Sequence, residues 1–333
     1  MSILHDYWQL ARVYTFRKAV NLCLVYISFK INKVWGMPYA FSIEPTTSCN
    51  LRCPECPSGL RSFTRETGNL EQEKLKHYID QYAKNALYLT FYFQGEPYLN
   101  PHFLEMVRYA KSKKIYVSTS TNAHYLILEK AKETVNSGLD KLIVSIDGTT
   151  QDTYEQYRIG GNLEKVKEGL ANITKAKKLL NSKTPYVIVQ FLVVKPNEHQ
   201  IEEVKALGLA YGANEVKLKT AQLYDFKNGN PLLPSIEKYS RYIQKSDGTY
   251  KLKHELKDEC WRMWHSNVVT WDGKIVPCCF DKDAKYVMGD LNSKSLKSIW
   301  KNERYTKFRK QLQNNRNAID ICQNCTEGAK VYQ

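Results

Sequence analysis

Between residues 39 and 220, short apolar runs and amphipathic helical patterns alternate along the chain. Strand-like runs fall at 39–43, 87–93, 115–120, 142–146, 186–194 and 215–220. Helical patterns, with apolar residues at three- and four-residue spacing, fall between them at 70–86, 101–112, 123–136, 163–180 and 198–211. A helix between successive strands is a crossover, and crossovers make neighbouring strands parallel. The reading is therefore an α/β fold, a partial (β/α)6 TIM-like barrel, with a doubly wound sheet as the alternative topology. Either architecture puts functional groups at the C-terminal ends of the strands.

The rhythm stops near Asp225. Residues 228–234, NGNPLLP, read as a linker. Beyond it, 267–271 and 274–278 flank Asp272–Gly273, a two-residue hairpin signal, and apolar spacing predicts one helix over 296–312. Three parts are expected: an amphipathic helical extension at 1–38, the barrel at 39–225, and a small auxiliary domain at 226–333.

Of nine cysteines in 333 residues, all but Cys23 fall in two clusters about 200 positions apart. A disulfide-stapled secreted domain is shorter and denser in cysteine, so the pattern reads as metal ligation in a reducing compartment. Cys49, Cys53 and Cys56 have the spacing C-x3-C-x2-C, in the loop after the first strand. Three thiolates hold a cluster and leave one iron open for a small chelating molecule. A zinc site or an electron-transfer cluster wants a fourth ligand nearby. Cys260, Cys278, Cys322 and Cys325 supply four thiolates, a complete set, and on residue chemistry alone zinc fits them as well as iron–sulfur does. Strand neighbours point to opposite faces, so Cys279 beside Cys278 is expected to be a buried thiol, and Cys23 a packing residue of the N-terminal helix.

The C-x3-C-x2-C loop resembles that of the radical S-adenosylmethionine (SAM) superfamily. The resemblance implies a [4Fe–4S] cluster on Cys49, Cys53 and Cys56, with SAM's amino and carboxylate groups on the open iron. It also implies reductive cleavage of SAM to a 5′-deoxyadenosyl radical that takes hydrogen from a substrate. Gln94-Gly95-Glu96-Pro97 is similar to the family's Gly-Gly-Glu-Pro turn and implies that Gly95 and Glu96 receive SAM's amino group. Ser145 and Arg158 are carried over as contacts to SAM's ribose and carboxylate. Gln94 and Glu55 depart from the family pattern, which has glycine at the first position and an aromatic residue at the second. The second cysteine set, its hairpin and the Leu-Lys-Ser-Ile-Trp helix resemble the SPASM and twitch extensions of these enzymes. They imply an auxiliary [4Fe–4S] cluster on Cys260, Cys278, Cys322 and Cys325.

The expected function is a radical SAM oxidoreductase that oxidises a small molecule or a peptide, the auxiliary cluster taking the second electron. A peptide or protein maturase is the alternative, and a non-catalytic metal-cluster protein the remote one. A reducing partner such as flavodoxin or ferredoxin is implied. The net charge of +15 favours acidic partners, yet no nucleic-acid-binding motif is visible, so nucleic acid is not an expected partner. The run at 19–27 is too short to span a bilayer and is followed by Lys30, Lys33 and Trp35 rather than a cleavage site. The expectation is a cytoplasmic protein whose N-terminal helix packs against its own body, with peripheral membrane contact through residues 14–35 as the alternative. No histidine pair marks a catalytic base.

Overall fold

The computed structural model describes residues 2–327. The expected strands form as β1 (Ala40–Ile43), β2 (Tyr88–Phe91), β3 (Tyr116–Thr121), β4 (Lys141–Ser145), β5 (Tyr186–Val193) and β6 (Glu215–Thr220). They lie side by side in sequence order and every neighbouring pair is parallel. A doubly wound sheet reverses its strand order at a switch point. This run never reverses, so the topology is that of the partial barrel.

The N-terminal extension is two helices, α1 (Ser2–Val13) and α2 (Phe16–Ile31). They break at Thr15, whose hydroxyl accepts from Lys18 N at 3.3 Å. A short α3 (Pro57–Leu60) follows the first cysteine loop, and α4 (Gln72–Tyr82) covers β1 and β2. It buries Leu75, Tyr78, Ile79 and Tyr82, which share one helical face, and the Tyr82 ring stacks on Phe41 at 3.9 Å between centroids. The outer layer continues with α5 (Phe103–Ser112), α6 (Leu128–Asn136), α7 (Gln151–Tyr157), α8 (Leu163–Leu179) and α9 (Ile201–Ala210). The apolar pattern did not reveal α7, because its seven residues span only two turns. All six residues of β3 are buried although four are Ser or Thr. The helices cover one face of the sheet, and polar side chains on the other meet partners inside the barrel, as Ser118 Oγ does by accepting from the Tyr88 hydroxyl at 2.7 Å.

The hairpin signal at Asp272–Gly273 is a hairpin. β9 (Ser266–Val269) and β10 (Lys274–Val276), preceded by the separate ribbon β7 (Tyr242–Gln244) and β8 (Tyr250–Leu252), pair antiparallel. Gly273 has φ +91°, and a Cβ there would lie 2.3 Å from the Tyr78 hydroxyl oxygen. β9 also pairs in parallel with β1, Ala40 opposite Ser266 through Ile43 opposite Val269. With β11 (Gly289–Asp290) the result is one nine-stranded sheet, β11-β10-β9-β1-β2-β3-β4-β5-β6. Residues 226–333 were expected to form their own small domain, yet their hairpin continues the barrel's sheet. A one-turn α10 (Arg262–His265) leads into β9. The single helix expected over 296–312 is two, α11 (Leu296–Trp300) and α12 (Glu303–Asn314). Asn302 divides them, its side chain accepting from Tyr305 N at 2.8 Å and donating to Met288 O at 2.8 Å. A final one-turn α13 (Asp320–Gln323) carries Cys322.

Where β1 ends, the fully buried Glu44 accepts two hydrogen bonds from Arg65, at 2.9 and 2.6 Å, and one from Trp271 N at 3.2 Å. Burial pushes the Glu44 carboxyl up, and Arg65 opposes that. Breaking such a pair leaves a buried charge uncompensated. Arg65→Met should cost about 3–5 kcal/mol of stability in denaturant unfolding, and Glu44→Leu with Arg65→Met should restore much of it.

Candidate active site and auxiliary cysteine centre

The first cysteine loop is folded by its own backbone. A Cβ on Gly59 would lie 2.5 Å from both Cys53 N and Cys53 O, so only glycine lets α3 close against the loop. Arg61 clamps the same turn, its guanidinium donating to Ser58 O at 2.7 Å and Cys49 O at 2.6 Å. Cys49, Cys53 and Cys56 face one cavity of about 450 Å³ at the C-terminal ends of the strands. Burial pushes the Cys49 thiol up to about 11, with Glu96, Cys53 and Cys56 adding to it, and burial pushes Cys53 up as well. Thiols that resist ionisation alone become ligands only when a cationic centre stabilises the thiolates. The donor set therefore fits a cluster with one site left open. Among the described residues, no group of three His, Cys, Asp or Glu side chains is set to hold a single metal ion.

The turn after β2 is laced to that loop. Gly95 has φ +74°, and a Cβ there would lie 2.3 Å from Thr46 O. Gly95 N donates to Ser58 Oγ at 2.9 Å and Glu96 N to Ser48 O at 2.7 Å. Glycine is required here by both conformation and space. The departing residue, Gln94, is buried, with its Oε1 3.8 Å from the Cys56 thiol. Glu96 is also buried and accepts from Thr121 Oγ1 at 2.7 Å, Asn122 N at 2.8 Å and Tyr98 N at 3.3 Å. Burial pushes its carboxyl up to about 7 against those three donors.

Ser145, at the end of β4, and Arg158, just after α7, line the same cavity as Gly95 and Glu96. The structure thus brings together the four residues carried over for SAM with the three cysteines. Arg158 donates Nε to the buried Asp147 at 2.5 Å and places Nη1 3.8 Å from Cys53 Sγ. Asp147 also accepts from Leu192 N at 2.7 Å, which fixes the carboxylate that aims the guanidinium. Glu55, the second departure, accepts from Tyr224 N at 2.8 Å and Asn230 Nδ2 at 3.3 Å, tying the loop to the segment after β6.

Sequence reasoning missed Lys219, Arg241 and Lys282, which border the cavity together with Cys279. Burial, then Lys217 and Arg241, push the Lys219 ammonium down. No motif marks these residues, because they come from β6, from just before β7 and from the turn after β10. Cys279 is not the buried thiol expected of it. It is half-buried and opens on the cavity, because Cys278 takes the inward face. Cys23 is exposed on α2 rather than packed.

Cys260, Cys278, Cys322 and Cys325 are all buried and close enough to raise one another's pKa. Cys322 is pushed up to about 12, first by burial and then by Cys325. The buried Arg316 reaches this group. Its Nη2 lies 3.3 Å from Cys325 Sγ and 3.2 Å from Glu327 O, and its Nη1 lies 3.0 Å from Glu259 O. Its buried Nε has no partner among the described residues. A guanidinium held by neutral carbonyls and one thiol suits an anionic centre, as four thiolates around an iron–sulfur core make.

Fold and site together define a partial-barrel iron–sulfur protein with a SAM-type open cluster loop. Residues 43–207 match the radical SAM superfamily model, and residues 260–326 match the SPASM iron–sulfur cluster-binding domain. A Pyrococcus furiosus protein described as a tungsten-containing aldehyde ferredoxin oxidoreductase cofactor-modifying protein is 30% identical over 305 residues, covering 82% of this chain and 83% of its own. The PqqA peptide cyclase of Gluconobacter oxydans is 26% identical over 257 residues, 72% of this chain and 70% of the cyclase. Among solved structures, BtrN with AdoMet and 2-DOIA aligns at TM-score 0.54 and 20% identity, over 87% of this chain and 94% of BtrN. Streptococcus suis SuiB bound to S-adenosylmethionine aligns at 0.62 and 14%, over 92% and 76%. The chain belongs to the radical SAM superfamily and carries a SPASM domain, and with them come iron–sulfur and SAM binding.

An ammonium needs Glu96 ionised. Its folded pKa is raised from 4.5 to about 7, so folding loses stability from this group as pH rises through that window, and a bound cation restores it. SAM affinity, measured by equilibrium dialysis on the reconstituted protein, should fall about tenfold from pH 8 to pH 6. Glu96→Gln should bind weakly and flatten that dependence.

Proposed function

We propose that the chain is an oxidoreductase that modifies a peptide or protein segment by a net two-electron oxidation. In this reading Cys49, Cys53 and Cys56 hold a SAM-binding [4Fe–4S] cluster, and Cys260, Cys278, Cys322 and Cys325 hold an auxiliary one. Gly95, Glu96, Ser145 and Arg158 bind SAM. When bound and given one electron by a flavodoxin or ferredoxin, such a cluster would supply the reductive cleavage of SAM to a 5′-deoxyadenosyl radical, the agent for hydrogen abstraction from the substrate. Glu96 receives the ammonium of SAM, and Arg158, aimed by Asp147, balances negative charge beside Cys53. Lys219, Arg241 and Lys282 favour a substrate that presents a negative group to this part of the cavity. Because the thiolates need a reducing compartment, the cytoplasm is the proposed location. Peripheral membrane contact through residues 14–35 is part of the same reading.

One observation carries the two-electron assignment: Cys278 and Cys279 sit side by side after β10, one in the auxiliary thiol group and one on the cavity. The second electron of the substrate thus has a route one residue long from cavity to buried thiolates. Peptide modification is supported by relatives whose names state it, the PqqA peptide cyclase and the mycofactocin maturase MftC of Mycobacterium tuberculosis.

Replacing Cys49, Cys53 and Cys56 together with Ala should remove about four irons per chain and abolish 5′-deoxyadenosine release. Cys322→Ala with Cys325→Ala should leave that release largely intact and stop product formation. A redox-neutral product from the intact enzyme would defeat the reading.

Arg316→Gln should lower the midpoint potential of the auxiliary centre by about 60 mV, a tenfold change in a one-electron equilibrium. Potentiometric titration followed by electron paramagnetic resonance reads it, whatever the substrate. An unchanged potential would leave Arg316 a packing residue.

A further inference from the structure

Helix α2 buries mostly polar side chains. Its buried residues are Lys18, Asn21, Val25 and Ser28, three of them polar. Each polar group is satisfied. Lys18 Nζ donates to Lys114 O at 2.7 Å. Asn21 donates to Met37 O at 2.9 Å and accepts from Met37 N at 2.8 Å. Ser28 Oγ donates to Leu24 O at 2.6 Å and accepts from Trp35 N at 2.9 Å and Gly36 N at 3.1 Å. The helix is held in this rotation by specific bonds, and turning it to bury its apolar side would break them.

Val25 is buried and Leu22 and Phe29 pack against the core, but the outward face carries an apolar stripe of its own. Phe16, Val20, Cys23, Ile27 and Ile31 recur at four- and three-residue spacing, which is one stripe of a helix, and all are exposed. Phe16 is 87% exposed, Tyr26 and Trp35 55% each. A helix whose only environment is water and its own protein core shows the opposite arrangement. The surface around the stripe is basic. Arg12, Arg17, Lys30 and Lys33 are exposed, and no Asp or Glu occurs from residue 7 to residue 43. Tyr14 and Trp35, also exposed, stand at the two ends of the helix. Aromatic side chains with a polar edge favour the boundary between lipid and water.

We infer that this face of α2 docks onto an anionic lipid surface, lying in its plane. The inference gives the membrane contact proposed above its face and its lipid charge, and it does not depend on the enzymatic reading. The helix is 16 residues, and no helix among the described residues is long and apolar enough to cross a membrane. An in-plane helix needs an apolar stripe, a basic flank and interfacial aromatics, and α2 presents all three toward solvent. The charge complementarity favours lipid over a second copy of the chain, which would bring a second basic face against the first.

The test is flotation of the reconstituted full chain with two sets of vesicles, phosphatidylcholine alone and phosphatidylcholine mixed with phosphatidylglycerol. The expected result is binding to the mixed vesicles that exceeds binding to phosphatidylcholine at least about tenfold and weakens with salt. Phe16→Glu with Ile27→Glu should reduce it at least about tenfold, while thermal unfolding and SAM cleavage in solution stay unchanged. No flotation with either lipid overturns both the inference and the membrane contact. Equal binding to both lipids, or undiminished binding by the double variant, overturns the inference alone. A dimer seen by sedimentation velocity that the double variant abolishes, without flotation of the wild type, assigns the face to self-association and overturns the inference.

Discussion

The buried pair of Glu44 and Arg65 holds the two halves of the site in register. Glu44 is the first residue past β1, and the chain runs from it directly into the cysteine loop. Arg65 lies where that loop returns, packs over the Phe63 ring at 4.7 Å and donates Nε to Lys282 O at 3.1 Å. Trp271, from the turn between β9 and β10, bonds the same carboxylate. One ion pair thus joins the strand that launches the loop, the loop itself and the segment after β10. Two charges removed from water gain little net stability from each other, but neither tolerates the loss of its partner. The geometry is therefore enforced even though the pair adds little to the folding free energy.

The two cysteine centres differ in how their charge is met. At the first, Arg158 is the nearby cation, and it is shared with Asp147, so its field is partly spent before it reaches Cys53. Glu96 beside Cys49 and Lys282 toward Cys56 add charges of opposite sign, and glycine turns bring backbone close. Such an arrangement leaves room for a ligand's own charges. At the second, all four thiols are buried and Arg316 is bound by carbonyls rather than by a carboxylate. Its charge is directed wholly to the sulfurs, an arrangement suited to a closed centre that holds an extra electron.

Much of this was legible in the sequence because it is local. Strand and helix periodicity gave the order of elements, and the consecutive parallel barrel followed from it. Gly273 was visible as a turn signal and Gly95 through the resemblance, and the need for glycine at both is explained by positive φ and by neighbours within 2.3 Å. The break at Asn302 and the start of α2 at Thr15 were not read, although Asn and Thr are capping residues, because the apolar pattern runs on through both. α7 was too short to show a period.

What the sequence by itself determined is the set of chemical groups and their local setting: three thiols in one loop, a carboxylate after a glycine, four further thiols, and alternating units that place loops at one end of a barrel. Only the tertiary structure decided which distant groups meet. The pairing of β9 with β1, the opening of Cys279 onto the cavity, the cationic side chains that border it and the outward apolar stripe of α2 all depend on contacts between residues far apart in the chain. Periodicity reports that a helix has two faces. Which face turns inward is settled by the partners waiting there, and for α2 those partners are backbone groups that bond Lys18, Asn21 and Ser28.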